Sequence, residues 1–461
     1  MSFDPERAAI RFGCGLSPRI APPDSAEAML SQLTGRDRAA EAFPVPGFQA
    51  VVAHYVAIRA ARKAQKATRT EADLEAKLKA RKKVERAMAD DGSRWFANTM
   101  LRRALTEDGF RERLVAFWTD HFTAFDEGGP MRFSHVAYTE EAIRPHVAGR
   151  FADLLRASAT HPIMLRFLDQ ARSAGPNSQA TKRKDKIGGL NENLAREMLE
   201  LHTLGVNGPY TQTDVRQLAE LLTGLSYTMK AGFEFRPSLA EPGAETVLSV
   251  EYGGNKARLE DIYAAFEDLA RHPATARHIA RKLAVHFVSD RPDEGLVDAM
   301  AARYAETDGK LPEVYAAVLE HPAAWADQPG NIKQPVDFIG SSLRALDIVP
   351  RAMPAGKYGR TRKMFFTPLQ LMGQDWGRPA GPDGWTESDA EWITPQRLSA
   401  RLIWGMTMPY ELRRALPDPR DFVETALGRR VPEEVRFAAR AAETRAEGIG
   451  IVLSSPAFQR M

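Results

Sequence analysis

Between Ala60 and Ala89 the chain contains neither proline nor glycine. The run is rich in Ala, Arg, Lys and Glu, which lose little freedom in a helix and favour it. With the residues just before it, the run predicts one long helix over 50–89. Arg62, Lys63, Lys66, Lys79, Arg81, Lys82 and Lys83 make that helix basic. The plain reading is a solvated helix that projects from the body. The sharper reading is a face for RNA, lipid headgroups or an acidic partner.

Helical periodicity recurs along most of the remaining chain. Trp95, Phe96, Met100, Leu101 and Leu105 have the spacing of a buried helix, and a second apolar segment follows the turn at Asp108-Gly109. Further helices are expected over 140–155, 161–168, 259–319 and 335–346. The one defensible strand signal is a small β-hairpin near 233–250, with Phe233-Glu234-Phe235 facing 246–250 around Pro242-Gly243. The expected fold class is therefore all-α: a single large multi-helix domain over 1–461, with at most that hairpin. A basic, flexible loop is expected over 174–189, carrying Lys182, Arg183, Lys184 and Lys186. A Gly/Pro/Trp-rich irregular stretch runs from Gly373 to Trp385.

Composition narrows the function classes. Hydrophobic residues make up 44% of the chain, enough for a large core, and the mean hydropathy of −0.37 is that of a soluble globular protein. The net charge of +3 is far below what a dedicated nucleic-acid binder concentrates on one face. Cys14 is the single cysteine, so no intramolecular disulfide can form. The N-terminal segment has early acidic residues and no apolar run of signal-peptide length. No stretch reaches the roughly 18 apolar residues of a membrane span. The expected location is cytoplasmic.

The most informative segment is NENLAREMLELHTLG. At about 100° per residue, Leu194, Met198 and Leu201 share one stripe. Glu192, Arg196 and Glu200 share the opposite side, and Glu197 lies at the border. Arg196 can reach both Glu192 and Glu200, each four residues away. Facing water, that array stabilises by tenths of a kcal/mol. Facing inward, it is a polar network that needs full pairing. Gly205 should stop this helix, and Thr211 with Asp214 has the form of a capping box opening the next. A second polar pair, Asp120-His121, sits among Phe117, Trp118 and Phe122 and must be hydrogen-bonded if buried.

These pieces together resemble a known family. Arg11-Phe12-Gly13 with Gly15, FWTDHF from Phe117, GLNENLAREMLELHTLG followed by YTQTDV, HPATARHIARKLAVHFV, KQPVDFIGSSLRAL, GPDGW and the terminal LSSPAFQ occur in the order of the bacterial domain of unknown function 1800 family. The resemblance covers nearly the whole chain and implies one predominantly helical architecture. It implies no reaction. It suggests as partner a protein of a neighbouring family whose members look like sulfatases or phosphatases. Two departures stand out. The family commonly has Asn before the motif histidine, where this chain has Asp120. It often has a histidine before Glu-Pro-Gly, where this chain has Ala240.

Two functions compete. One is a hydrolase-like enzyme with a His/carboxylate/Arg site. His121 would be base or ligand, oriented by Asp120, Glu197 or Glu200, and Arg196 would hold negative charge, with Glu192 completing the set. A divalent-metal version would use His121, Glu197 and Glu200, although no HExxH or CxxC spacing supports it. His278 and His286, eight residues apart with Lys282 between them, are too distant to share a metal, and His202 reads as a packing residue. The other function is a non-catalytic scaffold that binds a partner protein through the basic helix or the Gly373–Trp385 stretch. Nucleic-acid binding ranks third. The discriminator is whether His121 and the Glu192–Arg196–Glu200 face meet in a pocket.

Overall fold

The basic run folds as two helices rather than one: Phe48–Lys66 and Glu71–Leu105. The computed structural model describes residues 3–67, 70–126, 128–183, 188–327 and 330–461. Thr70 corrects the single-helix reading. Its backbone is extended, and its hydroxyl accepts the Asp73 N–H at 3.4 Å, so it caps a new helix. The two helices pack side by side, with Arg81 Nη1 donating to Gln65 Oε1 at 2.9 Å. Lys63, Lys66, Lys79, Lys82 and Lys83 are exposed along the pair.

The second helix changes character at Gly92. A Cβ there would lie 2.3 Å from the Phe133 ring, so only glycine allows the approach. From that point Trp95, Phe96, Met100 and Leu101 are buried. Helices dominate throughout, and the protein is predominantly α-helical. One buried cluster gathers Phe110, Phe117, Trp118, Phe122, Phe151 and their neighbours; a second gathers Phe96, Phe338, Phe365, Trp404 and Ile449. Each fully buried large side chain contributes about 1.5–3 kcal/mol of transfer free energy. The buried Trp118 indole donates to Tyr315 at 2.6 Å, and the Tyr315 hydroxyl donates to the Val147 carbonyl at 3.0 Å, so this polar chain is satisfied.

Two small antiparallel pairs replace the single expected hairpin. Strand β1 (Leu225–Thr228) pairs with β2 (Gly232–Phe235), and β3 (Gly243–Val247) with β4 (Val250–Gly254). The expected partners 233–235 and 246–250 thus belong to different hairpins. The β3–β4 turn is Leu248-Ser249, both in the left-handed region at φ 50° and 66°. Neither residue favours that region, so no turn signature marks it. Asp214 holds the turn by accepting the Leu248 N–H at 2.8 Å. The capping box of Thr211 and Asp214 forms as the sequence indicates.

Distant motif blocks meet at the C-terminal segment. Lys333 Nζ donates to the Phe458 carbonyl at 2.7 Å, its N–H to the Gln459 carbonyl at 2.8 Å, and Arg401 reaches Gln459 Oε1 at 3.0 Å. Within the expected loop 174–189, Gln179–Lys182 is a helical turn capped by Ser178, and Asn177 bonds to Glu241. Lys184 and Lys186 lie outside the described residues. Among the described residues, no helix is long and apolar enough to cross a membrane.

Candidate functional site

Asp120 and His121 are the last two residues of the Gly109–His121 helix, and adjacent helical positions point about 100° apart. They enter different surroundings. His121 turns into the aromatic core, with ring centroids 5.2 Å from Trp118 and 4.5 Å from Phe122. Its Nε2–H donates to the His202 carbonyl at 3.1 Å, and His278 Nε2–H donates to the Leu201 carbonyl at 3.0 Å. Those carbonyls end the helix Asn193–Glu197, which continues as the π-helical turn Met198–His202. A helix end leaves carbonyls without partners, and the two imidazoles fill that role. Burial holds His121 well below the usual histidine range, and the Lys282 charge adds to it. The imidazole is neutral, with its Nδ1 unpartnered.

Asp120 turns the other way, onto the wall of a cavity of about 160 Å³. The Gly381–Trp385 loop lies across it. Asp120 Oδ1 accepts the Trp385 N–H at 2.9 Å. Gly384 makes this possible: its φ is +80°, and a Cβ there would sit 2.7 Å from both carboxylate oxygens. Gly384→Ala is therefore expected to lift the loop from Asp120 and cost about 1–3 kcal/mol, read by urea unfolding. A cost within 0.5 kcal/mol would mean the loop has room to yield.

Asp383 of the same loop and Glu387, two residues beyond it, act on Asp120, while Lys282 approaches from the helix Pro273–Phe287. Burial, then the Glu387 charge, pushes the Asp120 carboxyl up to about 8, against the opposing pull of Lys282 and the Trp385 N–H. Burial also lowers the Lys282 ammonium, against the attraction of Asp120, Glu387 and Asp383. His286, also on the cavity wall, bonds through Nδ1 to Glu387 Oε1 at 2.7 Å and accepts from Arg113 Nη2 at 3.0 Å. The histidine–carboxylate pair sought at His121 thus exists at His286–Glu387.

The Glu192–Arg196–Glu200 array forms as the spacing predicts, at 3.1 and 3.4 Å, and Gln212 joins it. Arg196 is 38% exposed, so the array faces water and stabilises by tenths of a kcal/mol. Glu197 is partly buried; burial raises its carboxyl, and Glu200 and Asp383 add to that. His121 does meet this helix, but at its terminal carbonyls and not at the Glu–Arg face. Among the described residues, no group of three or more His, Cys, Asp and Glu is placed to hold a metal ion, so His121, Glu197 and Glu200 do not assemble as one ligand set.

The expected discriminator therefore separates two surfaces: Asp120 joins a cavity, and the Arg196 array stays outside it. Residues missed in sequence were Lys282, Asp383, Glu387, His286 and, on the cavity wall, His135. Sequence spacing presents Lys282 and His286 only in the context of a metal site. The GPDGW motif was the one available signal for the loop.

The fold and this cavity define a helical protein with a partly buried acidic group under a glycine-dependent loop. The chain belongs to the family described as protein of unknown function (DUF1800), which matches residues 7–460. Comparisons with curated proteins and with solved structures return no match.

Proposed function

We propose that this protein is an acid–base enzyme of the hydrolytic class, working at the cavity over Asp120. One observation carries the reading: a carboxyl that keeps its proton near neutral pH lines a cavity, with Lys282 close to it. A general acid works best when its pKa lies near the working pH. Asp120 would give its proton to the leaving oxygen as that oxygen's bond to the reacting centre breaks. Water would add to the centre and return a proton to the carboxylate. Lys282 favours the transient carboxylate, and Glu387 favours its reprotonation. Because the family resemblance leads one to expect asparagine at this position, the acid chemistry is proposed for this chain in particular.

The test is a hydrolysis screen of p-nitrophenyl esters, phosphates and glycosides with the native protein, Asp120→Asn and Arg196→Ala. Asp120→Asn is expected to lower kcat by about 10²–10⁴-fold. Arg196→Ala should leave it unchanged. Equal losses in both variants would return the site to the exposed Glu–Arg face. No hydrolysis in any class would sink the hydrolytic reading. It would favour the scaffold, for which Ile403, Met406 and Tyr410, exposed on one face of the helix Pro395–Leu412, are the supporting observation.

A further inference from the structure

We propose that the cavity over Asp120 binds an uncharged, polyhydroxylated ligand (a sugar or cyclitol), held at its polar edge by His135 and along its apolar face by Trp376 and Trp385. The inference rests on the reading above and narrows its substrate class.

Among the described residues that line the cavity, each arginine is paired with a carboxylate. Arg102 pairs with Glu140 at 2.6 and 3.0 Å, Arg103 with Asp337, and Arg144 with Glu112. A charged ligand would lose its hydration on entry and find the arginines and carboxylates that line the cavity already paired with each other. Asp120 adds a carboxyl that keeps its proton near neutral pH.

The wall does offer open hydrogen-bonding positions. His135 is only 5% exposed and lines the cavity, yet neither of its ring nitrogens has a partner. Burial, with the Arg378 charge, holds its imidazole at about 3, so the ring is neutral and presents one donor and one acceptor. A hydroxyl both donates and accepts, and is the complementary group. Leaving such a buried group unpaired costs about 1–3 kcal/mol, which a bound hydroxyl would recover.

Three threonines on the same wall point to a ligand rich in donors. Thr119 donates to the Val115 carbonyl at 2.7 Å, Thr123 to the Asp120 carbonyl at 2.7 Å, and Thr139 to the His135 carbonyl at 2.9 Å. The Thr119 and Thr139 oxygens also lie 3.2 Å apart and share one hydrogen bond, so part of that pair's capacity is met within the wall, while Thr123, its proton engaged, can only accept. Several O–H donors on one small molecule would satisfy what remains. Trp376, stacked on Phe366 at 5.5 Å with its ring centroid 4.7 Å from His135, and Trp385 give the cavity an apolar lining for the C–H surface of a ring.

The experiment is a tryptophan-fluorescence titration with glucose, myo-inositol and methyl β-glucoside, beside glucuronate and glucosamine as charged counterparts. At least one neutral probe is expected to bind in the millimolar range, and both charged probes more weakly. His135→Phe keeps the ring packing and should weaken binding at least about tenfold. Thr139→Val should weaken it severalfold, and Asp120→Asn should still bind. The inference is overturned if no neutral probe binds, if a charged probe binds as tightly, or if His135→Phe keeps full affinity. Loss of hydrolysis in Asp120→Asn alongside absent sugar binding would sink this inference alone. Sugar binding without any hydrolysis would sink the catalytic reading alone.

Discussion

Asp120→Asn is expected to stabilise the protein by about 3 kcal/mol at pH 8, even as it removes the proposed acid. The folded carboxyl titrates at about 8 and the ordinary aspartate at 3.8. Between those values the unfolded chain is ionised while the folded chain keeps its proton. The stability this group contributes is fully present below 3.8 and is lost progressively as pH rises to 8. The whole window is worth about 6 kcal/mol as an upper bound, at about 1.4 kcal/mol per pH unit. Lys282 already acts within that folded value, and the residual solvation of a partly buried group reduces the window to about half. Asparagine carries no charge at any pH and still accepts the Trp385 N–H through its amide oxygen. Urea unfolding of both proteins at pH 5 and pH 8.5 should show the gap in favour of the variant widening with pH. If the variant is less stable at both pH values, Asp120 is a structural hydrogen-bonding residue and the acid reading goes with it.

The second large effect concerns the opposite kind of carboxylate. Asp337, on the buried helix Pro335–Ala345, pairs with Arg103 and lies 3.8 Å from Arg113 Nε. Burial alone would raise its pKa, but Arg113 and Arg103 outweigh burial and hold it below the usual range. Asp337→Ala leaves two buried guanidinium groups without their shared anion and should cost about 3–5 kcal/mol. The contribution of Asp337 is present above the ordinary aspartate value and is lost as pH falls through its lower folded value. The native protein should therefore converge on the variant only below about pH 4. Denaturant unfolding at pH 7, and at a series of pH values falling below the ordinary aspartate value of 3.8, follows that convergence. A loss under 1 kcal/mol at pH 7 would mean that water entering from the cavity already solvates these charges.

The two carboxylates show how differently one residue type behaves by position. Asp337 has two cations against it and gives up its proton easily. Asp120 has Glu387 and Asp383 against it and a single lysine to oppose them. Nothing in the residues flanking Asp120 reveals this, because the groups that set its proton affinity are brought in by a loop and a helix far along the chain.

Much of the architecture could be read directly from residue order. The helical class, the Thr211–Asp214 capping box, the Gly205 stop (φ +89°) and the Arg196 ion pairs all depend on residues within about four positions of one another. Local backbone energies decide such features, and spacing records them. Thr70, the cap that splits the basic run, belongs to the same set; it was legible but outweighed by the long propensity signal around it. Family membership, carried by whole motif blocks, was also legible.

The rest depends on contacts between segments far apart in the chain. Whether Asp120 or His121 lines the cavity turns on which side of one helix end is covered by core aromatics and which by the Gly381–Trp385 loop. The Trp385 N–H that meets Asp120 comes from the far side of the sequence. The β-strand partners depended on a Leu248-Ser249 turn held by Asp214 rather than by its own residues. Residue order specifies which groups are available and which local shapes they favour. Packing assigns their neighbours, and the neighbours set burial, charge and hence chemistry.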